Sequence, residues 1–231
     1  MIYMDRRHEE LVTKLKDPEF RKGYEGSCNE YKVGFVPKVL GGLLVLAGNT
    51  VYGRNPSYAK FKAVEVIARI PYQSWEWVSY MFLTAMYGDE QKAINLTHTS
   101  RFSRVAQDNE TMHVVVMTQI CKREKLGGFF RHYFIPLLFS FFYYIVSAIL
   151  YMVHRKSALE LNYMFESHAY EQYSEFVEEC GEELKKRHVE SKFLEFYGRE
   201  CENELELFCS IRDDELIHRN ESIRRISIPR A

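Results

Sequence analysis

The sequence predicts an all-α protein built around a bundle of long helices. Only six prolines interrupt its 231 residues, and long stretches without Gly or Pro favour helices over many short strands. Two short stretches place a glutamate three residues before a histidine, a spacing that puts both side chains on one face of a helix. A chain of this length can form one domain with a sizeable core.

The first thirty residues, 1–30, are predicted to form a polar arm. They are mixed in charge and contain Pro18, Gly23 and Gly26. No apolar stretch follows their basic residues, so they do not read as a secretory signal, and their acidic residues argue against a transit peptide. The remainder, 31–231, is predicted to be a single helical-bundle domain.

The helices predicted within this domain follow from the runs between turn signals. A Gly-Arg-Asn-Pro sequence at 53–56 is typical of a turn, and Pro71 predicts a kink or break in the helix that contains it. The predicted helices lie near 33–50, 59–87, 91–124, 131–153, 158–186 and 190–225.

Two of these helices, near 33–50 and 131–153, are predicted to face a membrane. Residues 135–153 include no charged side chain and are nearly numerous enough to span the hydrocarbon of a bilayer. Basic residues, including Arg131 and Lys156, flank this segment. A buried core helix and a transmembrane anchor are the alternative interpretations.

The two Glu-x-x-His pairs carry most of the functional information. One pair alone could be an incidental histidine on a solvated helix, but each pair here also follows a lone glutamate. One Glu from each of two helices, with Glu-x-x-His from each of two others, is the ligand set of a di-iron carboxylate site in a ferritin-like four-helix bundle. The candidate ligands are Glu76, Glu110, His113, Glu166, Glu215 and His218.

The residues around these candidates favour metal binding. Glu166 and Glu215 lie on otherwise apolar helical stripes, where a carboxylate is costly to bury unless it is paired or bound to metal. Four carboxylates and two histidines suit iron, with manganese as the alternative, and the absence of thiolate ligands disfavours zinc. The five cysteines form no Cys-x-x-Cys pair and are read as reduced thiols, with Cys28 a conceivable regulatory one.

Such a site restricts how residues 135–153 can meet a membrane. A single span there would place Glu110 and Glu215 on opposite sides of about 30 Å of hydrocarbon. If the site exists, this helix must therefore pack partly on the bundle and dip into one leaflet.

The local sequences resemble motifs of the alternative oxidase family, the cyanide-insensitive quinol oxidases. Residues 109–113 read Asn-Glu-Thr-Met-His, against Asn-Glu-Arg-Met-His in the family. Residues 165–169 are similar to Leu-Glu-Glu-Glu-Ala, and 212–219 to Arg-Ala-Asp-Glu-x-x-His-Arg. The weakest similarity is that of 75–79, Trp-Glu-Trp-Val-Ser, to Leu-Glu-Thr-Val-Ala. The resemblance spans about 70–225.

The resemblance implies roles for further residues. Tyr173, seven residues beyond Glu166, corresponds to a catalytic tyrosine, and Asn109 and Asp214 would orient the ligands by hydrogen bonds. Two departures are His168, where the family has a carboxylate, and Phe196, where it usually has Trp. The residues predicted to line the quinol route are Arg69, Trp75, Phe165, His168 and Ala169.

The function that the resemblance implies is ubiquinol:oxygen oxidoreduction at two iron ions, which reduces O2 to water without pumping protons. The enzyme would be monotopic on a mitochondrial or reduced-mitochondrial inner membrane, within a respiratory chain, and homodimeric. Basic and acidic residues nearly balance, 31 against 32, so no nucleic-acid partner is indicated. The alternatives are another di-iron carboxylate enzyme, such as a quinone-ring hydroxylase, and a non-catalytic membrane-bound helical module.

Overall fold

The computed structural model describes residues 6–228, which form ten α-helices and no β-strand. The prediction of an all-α, ferritin-like bundle is confirmed. A π-helical segment, Phe130–Phe134, precedes α7, and a short 3-10 helix, Arg225–Ser227, follows α10. The helices are α1 (Arg6–Leu15), α2 (Pro18–Gly26), α3 (Phe35–Tyr52), α4 (Tyr58–Ala68), α5 (Ile70–Met86), α6 (Glu90–Arg123), α7 (Ile135–Val153), α8 (Arg155–Leu184), α9 (Lys192–Tyr197) and α10 (Glu204–Arg224).

The bundle has four rods, namely the α4–α5 pair, α6, α8 and α10. The α4–α5 pair packs on α6, and α8 packs on α10. One apolar cluster, centred on Phe208 and Tyr173, joins α4, α6, α8 and α10. A second, centred on Tyr72 and Trp75, joins α5, α6, α7 and the start of α8. The middle of the bundle therefore lies between two well-packed apolar layers.

Two predicted helices are each divided in the structure. The predicted helix 59–87 breaks at Arg69, and Pro71 lies in the first turn of α5, where its missing N–H costs no helical hydrogen bond. The predicted helix 190–225 is interrupted at Gly198, whose φ of 89° ends α9 in a left-handed conformation. A new helix, α10, then follows. Its N-cap is Asn203, whose side chain accepts a hydrogen bond from the backbone N–H of Glu206 at 3.0 Å.

The predicted polar arm contains two helices within its described part. His8, Val12 and Leu15 share one face of α1 because they are spaced by four and three residues. Val12 and Leu15 pack in an apolar cluster with Leu216 and Ile217 of α10. The N-terminal segment is therefore packed against the bundle at α10. The domain boundaries at 31 and 231 stay a prediction. Residues 1–5 and 229–231 lie outside the described range.

Helices α3 and α7 carry the broad exposed apolar surfaces of the described chain. By length and composition alone, α3 and the segment Phe130–Val153 could each cross a membrane. Both also have an inner face, since α3 packs on α8 and α7 packs on α5. Their exposed apolar residues include Phe35, Val36, Leu43 and Leu46 on α3, and Leu137, Phe141, Phe142, Val146, Ile149 and Val153 on α7.

The bundle core should be most sensitive at Phe208. Its ring is fully buried and contacts Phe61, Tyr173 and Phe176. Phe208→Ala should lower the free energy of unfolding by about 3–5 kcal/mol, because it removes buried apolar area and leaves a cavity. Denaturant unfolding in detergent, followed by circular dichroism, measures the change. Phe196→Ala is the matched control, since Phe196 is 54% exposed, and an equal loss in both variants would contradict this description of the core.

Candidate metal centre

Four carboxylates and two histidines meet in the middle of the bundle, between the two apolar layers. They form two overlapping groups of four residues. Within each group the potential ligand atoms all lie within 4.8 Å of one another, and all of these residues are buried. Glu110 and Glu215 belong to both groups, so these two carboxylates connect one group to the other. The six residues are Glu65 on α4, Glu110 and His113 on α6, Glu166 on α8, and Glu215 and His218 on α10.

The imidazole rings face the carboxylates through their Nδ1 atoms. His113 Nδ1 lies 3.3 Å from Glu65 Oε2 and 3.3 Å from Glu215 Oε1. His218 Nδ1 lies 2.9 Å from Glu110 Oε1. Because Glu110–His113 and Glu215–His218 are i, i+3 pairs, each helix directs a carboxylate and an imidazole to the same point. The pairs therefore meet as the sequence predicts.

Most of these ligand atoms have no hydrogen-bond partner among the described residues. Both carboxylate oxygens of Glu110 and of Glu215, Glu65 Oε2, and the Nδ1 atoms of His113 and His218 are buried and, although they lie close together, make no hydrogen bond of good geometry. A buried polar atom without a partner costs on the order of 1–3 kcal/mol, and more when it is charged. So many unpaired acceptors converging at one place fit a site built for cations, and oxygen-rich ligands with two imidazoles suit iron or manganese.

The pKa values of the cluster also indicate an excess of buried negative charge. Burial, followed by the neighbouring Glu215 and Glu110 carboxylates, raises the pKa of Glu166 well above its usual range. Burial alone would lower the pKa of His113, but its hydrogen bond to Asp214 and the nearby carboxylates of Glu110, Glu215 and Glu65 raise it well above its usual value. The pKa of His218 is raised likewise beside Glu110 and Glu215. Without a bound cation, the negative charge of the carboxylates therefore favours protonation of Glu166, His113 and His218.

A layer of hydrogen bonds holds the candidate ligands from outside. Asp214 Oδ2 lies 3.0 Å from His113 Nε2 and accepts from Asn109 Nδ2 at 3.1 Å. Glu166 Oε1 accepts from the hydroxyl of Tyr72 at 2.6 Å and from the amide of Asn162 at 3.0 Å. The structure therefore places Asn109 and Asp214 where the sequence predicts orienting residues. Tyr72 and Asn162 were not predicted, because nothing in their local sequence distinguishes them from packing residues.

Tyr173 lies beside the cluster. Its hydroxyl donates to Glu65 Oε1, and its ring stacks on Phe61 with 4.1 Å between centroids. Burial, followed by the Glu65 carboxylate, raises the pKa of Tyr173 well above its usual value, so the phenol stays protonated. The phenolic oxygen can therefore hold a proton at the edge of the centre.

Comparison with known proteins agrees with this arrangement. Residues 46–224 match the family model described as alternative oxidase. The chain belongs to the alternative oxidase family. A curated relative is ubiquinol oxidase 4, chloroplastic/chromoplastic, of Arabidopsis thaliana, which is 28% identical over 192 residues, covering 74% of this chain and 51% of the relative. The chain thus spans about half the length of that relative. No solved structure gives a significant match.

The structure does not place the predicted ligand Glu76 at the centre. Glu76 lies on α5, its side chain 29% exposed, with Oε1 3.4 Å from Arg104 Nε. Glu65 occupies the corresponding place in the cluster. Its surroundings, Val-Glu-Val-Ile-Ala at 64–68, are closer to the alternative oxidase motif Leu-Glu-Thr-Val-Ala than those of Glu76. That motif, and an acid within an apolar helical stretch, was the signal that could have identified Glu65.

A cavity of about 170 Å³ adjoins the centre. It reaches from α3 and α7 to Glu65, Glu166 and Tyr173. Among the residues predicted to line a quinol route, three line this cavity: Phe165, His168 and Ala169. The other two do not. Trp75 is buried and stacks on Tyr151, and Arg69 lies at the junction of α4 and α5.

A buried lysine forms the polar part of the cavity wall. Lys60 Nζ donates to Gln172 Oε1 at 2.6 Å, to the Arg54 carbonyl at 2.7 Å and to Asn49 Oδ1 at 3.2 Å. Burial lowers the pKa of Lys60, and burial, followed by the Lys60 charge, lowers the pKa of His168. The cavity therefore combines an apolar wall with a few hydrogen-bonding groups, as is usual for sites that bind small organic molecules.

Metal content should distinguish Glu65 from Glu76. Glu65→Gln removes an anionic ligand from the cluster and should reduce bound iron well below two ions per chain. Glu76→Gln, the matched control on the neighbouring helix, should leave two. Elemental analysis after anaerobic loading and desalting measures both. Full loading of the Glu65 variant, with loss in the Glu76 variant, would return the ligand assignment to Glu76.

The metal-free protein should lose stability as pH rises. Because the folded-state pKa of Glu166 is raised, its contribution is present below about pH 4.3, the unfolded value, and is lost above it. The raised pKa values of His113 and His218 add further losses above about pH 6.5. Urea unfolding of metal-free protein between pH 5 and 8.5 should show a falling free energy of unfolding.

Two variations test this cause. Glu166→Gln should flatten the change between pH 5 and 6.5, because the amide does not titrate. Saturating metal should remove the decline, since a cation replaces the protons. A free energy of unfolding that rises with pH over this range in metal-free protein would contradict the assignment.

Proposed function

We propose that this protein is a di-iron ubiquinol:oxygen oxidoreductase. The observation that supports this best is the cluster of buried, unpaired carboxylates and imidazoles at the inner end of an apolar cavity. Family membership and the curated ubiquinol oxidase relative support the same reaction. Two quinols would lose four electrons and four protons, and one O2 would take them up to give two waters.

The residues that would hold the iron are Glu65, Glu110, His113, Glu166, Glu215 and His218. Bound iron would supply the oxygen activation and the electron storage that the side chains lack. Glu110 and Glu215 would be central to this set, because both lie in each group of potential ligands. Asp214 and Asn109 would keep the His113 ring in one orientation, as outer hydrogen-bond partners of metal ligands generally do.

The cavity residues would bind and orient the quinol. His168 could hydrogen-bond to a ring oxygen, and Lys60 could do so by exchanging one of its three present hydrogen bonds, while Phe165 and Ala169 would contact the apolar ring and tail. Tyr173 lies where the cavity meets the cluster. A proton on its phenolic oxygen can therefore pass towards Glu65 Oε1 as the quinol is oxidised, and the cavity's apolar wall limits competing water.

The apolar surfaces of α3 and α7 would rest in one membrane leaflet. Large contiguous apolar patches mark membrane or protein contacts, and exposed Lys38, Arg131 and Lys156 would meet anionic headgroups. A crossing α7 would separate the α4 and α6 ligands from those of α8 and α10, yet all of them meet in one cluster. A centre confined to one side of the bilayer has no path for pumping protons across it.

Two further parts of the proposal come from the family resemblance. We expect a homodimer. The mitochondrial or reduced-mitochondrial inner membrane stays our prediction for its location, although the curated relative is chloroplastic by name.

The decisive measurement is oxygen uptake by iron-loaded, detergent-solubilised protein after addition of a short-chain ubiquinol, with cyanide present. We expect cyanide-resistant uptake of one O2 per two quinols, with quinone as the only organic product. Glu215→Ala should abolish it together with iron binding. Ala169→Phe should retain iron but raise the KM for quinol roughly tenfold or more, because the larger side chain fills the cavity, a loss of about 1.4 kcal/mol of binding.

The outcomes separate the alternatives. A hydroxylated quinone would identify a ring hydroxylase. Two bound irons without quinol oxidation would contradict the proposed reaction, and no bound iron would leave a membrane-associated bundle without a redox centre.

A further inference from the structure

Helix α1 lies outside the residues that match the family, 46–224, yet it contacts the wall of the candidate metal centre. His8 Nε2 lies 2.8 Å from Asp214 Oδ1. The other oxygen of the same carboxylate, Oδ2, lies 3.0 Å from His113 Nε2. Asp214 therefore joins a histidine of the N-terminal helix to a candidate ligand, one carboxylate oxygen to each.

An arginine fixes the same carboxylate to α1 by a second route. Arg199, just after α9, donates to Asp214 Oδ1 at 3.1 Å and to Glu9 Oε1 of α1 at 2.7 Å. Its side chain is only 5% exposed. Burial opposes ionisation of Asp214, but the Arg199 guanidinium and the hydrogen bonds from His113 and His8 outweigh it and hold the pKa of that carboxyl well below its usual range.

Apolar packing determines where His8 lies. Val12 and Leu15 pack with Leu216 and Ile217 of α10, the residues that directly follow the ligand Glu215. The His8 ring centroid is 5.7 Å from that of His218, and His8 itself is buried. Helix α1 thus covers the side of α10 from which water would otherwise reach Asp214.

These contacts allow His8 to fix the orientation of the Asp214 carboxylate, which packing of α1 on the surface alone would not require. A carboxylate that is bonded through both oxygens has little freedom to rotate, and it therefore fixes the ring plane and tautomer of the histidine it holds. Partners of this kind commonly change metal affinity by about 10–100-fold when they are removed. Without His8, Asp214 Oδ1 would keep only Arg199 and would gain access to water.

We propose that His8 is a positioning residue of the metal centre, and that α1 is the cap that holds the metal ions in place. This inference rests on the di-iron centre proposed above. It predicts that His8 acts through Asp214 on His113 without touching metal or substrate, so its removal should speed metal loss more than it lowers the initial binding stoichiometry.

The test uses the full chain in detergent, loaded with iron or with cobalt. The iron readout is the rate of loss to a chelator, and the cobalt readout is the visible absorption spectrum, which reports on His113 as a ligand. His8→Ala should lose iron at least tenfold faster and shift the cobalt spectrum. His8→Gln, which keeps an N–H donor for Asp214, should recover much of both properties.

Leu15→Ala is the control for simple loosening of α1. It removes a fully buried apolar side chain without touching Asp214, so it should lower the free energy of unfolding while leaving the cobalt spectrum of the folded protein unchanged. His8→Ala with wild-type iron loss and spectrum would overturn the inference alone. Identical spectral changes in Leu15→Ala and His8→Ala would also overturn it, because docking rather than the hydrogen bond would then be responsible. Absence of stoichiometric metal in the wild-type protein would overturn both this inference and the di-iron centre.

Discussion

The rest of the structure depends on the repulsion among buried carboxylates that share one point in the bundle. The carboxylate oxygens of Glu110 and Glu215 are buried and make no well-formed hydrogen bond among the described residues, so their placement is costly unless cations arrive. Two rigid apolar layers, one on each side, keep the four helices from relaxing apart. The free-energy cost of burying these carboxylates is confined to the cluster, and the packing of the apolar layers around it keeps the carboxylates in place. This is how a protein can hold a cation site ready before the cation binds.

The same centre limits what the apolar helices can do. Helices α3 and α7 have surfaces suited to hydrocarbon, but their inner faces pack on α8 and α5 and, through the cavity wall, approach Glu166 and Tyr173. A hydrophobic molecule that enters along α3 and α7 reaches the cluster without crossing water. The proposed function would therefore bring membrane contact, substrate entry and metal chemistry to one side of the bundle.

Sequence patterns predicted those parts of the centre that have a helical period. The Glu110–His113 and Glu215–His218 pairs were identifiable because i and i+3 share a face. Glu65 was missed because a lone acid has no spacing signature among 32 acidic residues. The sequence also predicted one continuous helix over 59–87, whereas the structure has two, α4 and α5. The arm was predicted as polar because α1 buries only one narrow face. His8 was not predictable, since its partner Asp214 lies 206 residues away in the chain, and the burial of Lys60 depends on Gln172, 112 residues away.

The order of the helices along the chain has a consequence for biosynthesis. The ribosome releases α3 and α7 before α10, which supplies Glu215 and His218. The nascent protein therefore exposes both apolar helices before α8 and α10 are translated, and these two helices carry three of the six candidate ligands, Glu166, Glu215 and His218. Under the proposed function, lipid or a chaperone would have to cover these helices first, and metal binding would come late, on a chain already in contact with its membrane.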